Sequence, residues 1–305
     1  MTDEGVLDPW VADWLEANPT TYRMRDILEM ARTTESPWPV TRELGAVTDE
    51  IVAGVPVRIY EQPGAPTGLV VYFHGGAMCV GSIALMDNVA RELAHGTGAV
   101  VVSVEYRLAP EHPYPAGLDD CEAVTRWALA NSERFGIPPS RVVVAGESAG
   151  GTLTAGVTLR LRDDGAARLA GQVLIYPALD TGNSTLPARR RFAALTMDDD
   201  EMDWVWNAYT GGRDVDIEPG AAPLHAESLA ELPPAFIVLG GCDFLRDDGR
   251  LYAARLRAAG VEAEDVCYPG QIHGFMNHMF PASVDAYERI GGWVRAVFAG
   301  TGGPS

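Results

Sequence analysis

Three residues of this 305-residue chain could together move a proton and make a bond: Ser148, His273 and Asp243. Ser148 lies in Gly146-Glu147-Ser148-Ala149-Gly150-Gly151, directly after the apolar run Arg141–Ala145 and before a helix-like stretch. A strand–turn–helix elbow of this kind strains its middle residue, and small neighbours relieve the crowding. Gly146 and Gly150 supply that space, leaving the hydroxyl free above a helix N-terminus. The same residues are open to a plainer reading, a glycine-rich turn whose serine only caps a helix.

A serine is a poor nucleophile until a base takes its proton. Of the six histidines, His273 sits in Pro269-Gly270-Gln271-Ile272-His273-Gly274-Phe275, just after the strand-like run Glu262–Tyr268. That returns it to the sheet edge expected for Ser148. His278 is the rival base, and His95 and His225 read as structural. A base in turn needs a carboxylate to hold its tautomer and stabilise the imidazolium. Asp243 follows the run Ala235–Leu239 directly. Asp247 competes with it, but directly precedes the helix-like stretch Asp248–Ala259 and reads as that helix's cap. A fourth piece is His74-Gly75-Gly76-Ala77, after the run Leu69–Phe73. Two amides of this loop, with the amide following Ser148, could converge on an oxyanion. Losing one such donor typically costs ~10²–10³ in rate. His74 itself reads as a brace for the loop.

These loops need strands to hold them. Five short Val- and Ile-rich runs, Leu69–Phe73, Ala99–Val104, Arg141–Ala145, Gly171–Tyr176 and Ala235–Leu239, fit parallel strands buried on both faces. Helix-like stretches lie between and after them: Ile83–His95, Leu118–Phe135, Gly150–Arg162 and Asp248–Ala259. Glu262–Tyr268 and the helix Ser283–Phe298 follow. The alternation predicts an α/β fold with an open, mostly parallel sheet. Ahead of it, Gly45–Val52 and Val55–Tyr60 read as a hairpin, and Leu7–Asn18 and Thr20–Arg32 as amphipathic helices. About fifty residues, Asp180–Leu232, exceed what a crossover needs. The runs Arg189-Arg190-Arg191 and Asp198-Asp199-Asp200-Glu201 in it read as solvated faces. Positions 202, 205, 206 and 209 form an apolar helical stripe. The insertion reads as a lid packing with the N-terminal helices over the C-terminal strand ends, where ligands of such sheets bind.

Composition narrows the chemistry. The 23 basic residues, all arginine, face 42 acidic ones, for a net charge of −19. That balance argues against nucleic-acid and anionic-membrane partners. The absence of lysine excludes Schiff-base, phosphate-loop and Ser-x-x-Lys chemistry. The four separated cysteines form no C-x-x-C pair and read as apolar residues. The acidic N-terminus lacks a leader pattern and no run of 18 apolar residues exists, so a cytoplasmic protein is expected.

The order Ser148, Asp243, His273, each in a loop after a strand, is that of the α/β-hydrolase triad. With Tyr106-Arg107-Leu108-Ala109-Pro110-Glu111, His112-Pro113-Tyr114-Pro115-Ala116, Leu232-Pro233-Pro234-Ala235 and His273-Gly274-Phe275, the chain resembles the hormone-sensitive lipase family of α/β-hydrolases, bacterial esterases in particular. The resemblance runs from about residue 57 to the C-terminus. It implies an eight-stranded sheet, a helical cap (1–40, with an insertion at about 181–222) on a catalytic domain (41–305), and ester hydrolysis without metal or cofactor. Carried over by position, Ser148 is nucleophile, His273 base and Asp243 its orienter. Gly76, Ala77 and Ala149 would give the oxyanion amides, supported by His74, Gly75 and Glu147. Trp204, Trp206, Tyr209 and Phe275 would wall a pocket for short or medium acyl chains of a small-molecule ester. Family members often dimerise, although the apolar face of Ser283–Phe298 reads as core. Amide or peptide cleavage, acyl transfer and ligand binding without turnover are the alternative functions. Three residues depart from the family: Ala77 for the loop's third glycine, Glu147 for the usual Asp or Thr, read as tuning only, and Phe244 for a usual Pro after Asp243.

Overall fold

A run such as Leu69–Phe73 has no polar face to show to water, so it must be covered on both sides. The computed structural model describes residues 5–19, 23–166, 168–181, 184, 186–195, 197–213 and 218–300. In it such runs form the middle of an eight-stranded sheet in the order β1-β2-β4-β3-β5-β6-β7-β8. The strands are β1 (Ala46–Val52), β2 (Val55–Glu61), β3 (Leu69–Phe73), β4 (Val100–Val104), β5 (Val142–Glu147), β6 (Gly171–Ile175), β7 (Ala235–Gly240) and β8 (Ala263–Tyr268). β1 and β2 form the expected hairpin and β2 joins β4 antiparallel; all later pairings are parallel.

Successive strand residues point to opposite faces, which builds two apolar layers. Helices α3 (Asp87–Thr97) and α9 (Pro281–Ala299) cover Val70, Tyr72, Val101 and Val143. Helices α4 (Ala116–Asn131) and α5 (Ala149–Asp163) cover Val71, Phe73, Val102 and Val144. Helix α8 (Arg246–Ala258) covers Ile237 and Leu239 on that second face. Each such residue, fully buried, contributes roughly 1.5–3 kcal/mol. Tyr287, Ile290, Trp293 and Phe298 of α9 belong to the first layer, so its apolar face is spent on the core. Helix α3 starts four residues later than expected because Ile83–Met86 form a turn, in which Ser82 Oγ accepts the Leu85 amide at 3.1 Å.

Outside this pattern stand helices α1 (Pro9–Ala17), α2 (Leu28–Thr33), α6 (Pro187–Phe192) and α7 (Asp199–Thr210). Asp8 caps α1 by accepting the Trp10 amide at 2.8 Å, with Pro9 at the first helical position. The single helix expected over 20–32 is corrected. A one-turn helix, Met24–Asp26, is separated from α2 by Ile27 at φ −123°. Residues 20–22 of that expectation lie outside the described residues, as do eight positions of the 181–222 insertion. Among the described residues no helix is long and apolar enough to cross a membrane.

Candidate active site

The elbow after β5 is a close-packed crossing of backbones. A Cβ at Gly146 would strike the Gly150 carbonyl, and one at Gly150 the Phe73 carbonyl, so neither position admits a side chain. Ser148 takes φ +53° and ψ −116°, held by its amide on Ile175 O at 2.8 Å. Helix α5 starts at Ala149, and the first-turn amides of a helix have no intrahelical acceptor, which leaves partial positive charge beside the hydroxyl.

Loops after β7 and β8 bring the other two groups to this point. Ser148 Oγ lies 2.9 Å from His273 Nε2, and His273 Nδ1 lies 2.9 Å from Asp243 Oδ2. Asp243 is completely buried, and its other oxygen accepts the Leu245 amide at 2.7 Å. A buried carboxylate on Nδ1 makes that nitrogen the proton donor, so Nε2 is free to accept the serine proton. The ring is held edge-on by Tyr176 and by Phe244, each with centroids 5.0 Å away. Phe244, in place of the usual proline, therefore packs against the imidazole.

His278 lines the same cavity as Ser148 and His273 but is not a member of this relay. It stacks on Phe280 and tilts against Trp14 of α1. Burial, with a smaller contribution from the His273 charge, pushes it down to about 4. Asp247 is not the cap of α8, because the helix starts one residue earlier, at Arg246. Its carboxylate instead accepts the Ala188 amide at 2.9 Å and pairs with Arg246 at 3.0 Å.

Gly75, Gly76, Ala77, Ser148, Ala149 and His273 all face one cavity of about 990 Å³. The Gly75 amide is taken by Glu147 Oε1 at 3.1 Å, which leaves the next two amides of the loop as candidates for an incoming oxygen. Glu147 does more than the tuning expected of it. Completely buried, it also accepts the hydroxyls of Tyr72 at 3.2 Å and Tyr176 at 3.1 Å, joining elbow, loop and sheet. His74 is buried and stacked on Tyr106 at 4.3 Å, and Tyr106 Oη donates to its carbonyl at 2.8 Å.

Met202, Val205, Trp206 and Tyr209 of α7 line the cavity, so the predicted stripe faces it. Two expected wall residues do not. Trp204 projects from the other side of α7 onto Cys79, Val80 and Ala109. Phe275 is wholly buried beneath the site, against Tyr176 and Tyr268. Methionine was the missed signal: Met24, Met78, Met86, Met197 and Met202, five of the nine in the chain, line the cavity from five segments. The charge runs are corrected too. Arg189 is buried and donates to the fully buried Asp248 at 2.7 Å, while Glu201 accepts the Met24 amide at 2.8 Å; Arg190, Asp199 and Asp200 stay exposed. His225 is structural, 2.8 Å from Asp180.

A model of the α/β-hydrolase fold family matches residues 70–277. Carboxylesterase NlhH of Mycobacterium tuberculosis is 38% identical over 299 residues, covering 93% of each chain. An arylesterase of Saccharolobus solfataricus is 32% identical, covering 88% of this chain and 92% of that one. The solved esterase of Pyrobaculum calidifontis superposes with a TM-score of 0.86 at 33% identity, over 95% of this chain and 98% of its own. With its eight-stranded sheet and these relatives, the chain belongs to the hormone-sensitive lipase family of α/β-hydrolases.

Proposed function

We propose that this protein is a serine carboxylesterase acting on small-molecule esters of short to medium acyl chains. The observation that carries the reading is the unbroken relay Ser148–His273–Asp243, with two 2.9 Å links, opening into an apolar cavity. Ser148 Oγ attacks the ester carbonyl as His273 Nε2 takes its proton. The oxyanion is held by the amides of Gly76, Ala77 and Ala149. His273 then returns the proton to the leaving alcohol, and water, activated by the same imidazole, hydrolyses the acyl-enzyme. Asp243 stays ionised throughout and holds the imidazolium.

Residues 1–40 and about 181–222 act as a cap on the catalytic domain 41–305, with Trp206 and Tyr209 forming its aromatic wall over the acyl chain. Support comes from the contacts of these segments with each other: Met24 N on Glu201, and Arg23 paired with Asp198 at 3.5 Å. The test is hydrolysis of p-nitrophenyl esters from acetate to palmitate by the wild type and by Ser148→Ala. Activity peaking at short chains and lost in the variant is expected. A folded wild type that hydrolyses none of them, or a variant as active as the wild type, would overturn the reading.

A further inference from the structure

If Gly76 and Ala77 present amides to an oxyanion, the shape of their loop decides the rate, and that shape is strained. Gly76, Ala77 and Met78 have φ of +125°, +51° and +62°. Ala77 and Met78 carry a Cβ in the left-handed region, a strained conformation that persists only where the surroundings over-determine it. Part of that constraint comes from nearby in the loop. Gly76 O accepts the amides of Cys79 at 3.0 Å and Val80 at 2.9 Å, and Met78 O accepts that of Ala109 at 2.9 Å.

The rest comes from far away in sequence. Arg32, in the last turn of α2, donates from Nε to Cys79 O at 2.7 Å and from Nη2 to Ala109 O at 2.6 Å. Glu111 takes both ends of the fork, Nη1 at 3.0 Å and Nη2 at 2.9 Å, and so fixes its plane. One guanidinium therefore bridges the end of the loop, at Cys79, and the residue that anchors its middle, at Ala109. Arg32 is not among the residues lining the cavity, so it acts on the loop and not on a substrate. Lysine could not replace it, since an ammonium is a point charge without the planar fork.

We infer that Arg32, clamped by Glu111, is a positioning residue that holds the strained oxyanion loop in its working conformation and thereby ties the N-terminal segment to the chemistry. The inference rests on the esterase reading above and goes one residue further. It explains why a segment so remote from the elbow in sequence would matter for rate rather than only for stability.

The test compares Arg32→Met, Arg32→Lys and Glu111→Gln with Arg25→Met, an exposed arginine of the same N-terminal segment. Steady-state kinetics on p-nitrophenyl butyrate are read together with inhibition by an alkyl trifluoromethyl ketone. That ketone's Ser148 adduct carries an oxyanion, whereas the parent methyl ketone is its neutral counterpart. Arg32→Met should lower kcat roughly 10- to 100-fold with KM changed little, since a small misplacement of catalytic groups costs that much. Affinity for the trifluoromethyl ketone should fall in proportion, and affinity for the methyl ketone should not. The acid limb of the pH–rate profile should stay where it is, because His273 and Asp243 are untouched. Arg32→Lys should recover only part of the loss, and Glu111→Gln should show a several-fold loss of the same pattern. If Arg32→Met fails to fold, those two milder variants carry the comparison. Variants that fold and match Arg25→Met in kcat and in trifluoromethyl ketone affinity would overturn the inference while leaving the esterase reading intact. A wild type without esterase activity would instead remove the reading on which it rests.

Discussion

The sheet edge and the proposed cap are held together by different kinds of force. At the edge, Ser148, Asp243 and His273 each stand on a loop after a parallel strand; β5 and β7 are buried along their whole length, and β8, at the margin of the sheet, is half-buried. In the cap, short helices are tied by single polar groups from distant parts of the chain. These ties are Arg32 on Cys79, Glu201 on the Met24 amide, and Arg189 on Asp248. Burial of apolar area spreads stability over many residues, so no single one is decisive. A buried polar tie concentrates it, because removing one partner leaves the other desolvated and unpaired.

The largest expected effect breaks that contrast open at Arg189. Burial pushes the Asp248 carboxyl up even with the guanidinium beside it, so the pair stands without solvent help. Arg189→Ala should cost about 3–5 kcal/mol, read as a fall in the urea midpoint. Its exposed neighbour Arg190→Ala should stay within about 0.5 kcal/mol. Equal, small effects of the two would mean that the pair is not what joins α6 to α8.

Next comes Glu147, a buried polar tie at the sheet edge. Glu147→Ala leaves the Tyr72 hydroxyl and the Gly75 amide without their acceptor, and the Tyr176 hydroxyl with Asn277 Oδ1 alone, at 2.9 Å. About 1–3 kcal/mol of stability should be lost, and kcat should fall because Gly75 adjoins the amides proposed to hold the oxyanion. A variant with wild-type stability would show that the network is dispensable.

A smaller effect separates the two faces of α7. Trp206→Ala enlarges the cavity and should shift the preferred acyl length, changing kcat/KM between neighbouring chain lengths by about 10-fold. Trp204→Ala, which opens no wall of the cavity, should leave the profile's shape alone. Identical profiles for the two variants would contradict the lining.

Smallest at neutral pH, and growing only as the pH falls, is a stability effect from His278. Its folded value of about 4 lies below the ordinary one of about 6.5, so the unfolded chain takes up the proton first. The stability this gives is complete above about pH 6.5 and is lost as pH falls towards about 4. Melting temperatures of His278→Phe should therefore decline less than those of the wild type over that window, while kcat stays within a few-fold. Parallel declines would show that His278 is not held neutral.

How much of this was legible follows from the same contrast. The strands and the order serine, aspartate, histidine could be read because apolar runs and turn residues are local signals. Ser148, Asp243 and His273 each lie where a loop returns to the sheet edge. The cap was legible only where it is periodic: the stripe at 202, 205, 206 and 209 does face the cavity. Trp204 and Phe275 were misassigned because aromatic type says nothing of which side a residue faces. Arg189 and Glu201 were hidden inside charge runs, since a run gives no sign of which member turns inward. Arg32 left no trace, its acceptors being two backbone carbonyls 47 and 77 residues away and a carboxylate 79 residues away.

The central claim is that Ser148, activated by His273, forms a covalent acyl-enzyme. The most direct measurement is peptide mass mapping after exposure to a p-nitrophenyl alkylphosphonate, which leaves a stable phosphonyl group on an activated serine. The account predicts a single adduct on Ser148, loss of esterase activity in proportion to labelling, and little labelling of His273→Ala. Esterase activity that survives complete labelling of Ser148, or inactivation by an adduct elsewhere with Ser148 unmodified, would contradict it.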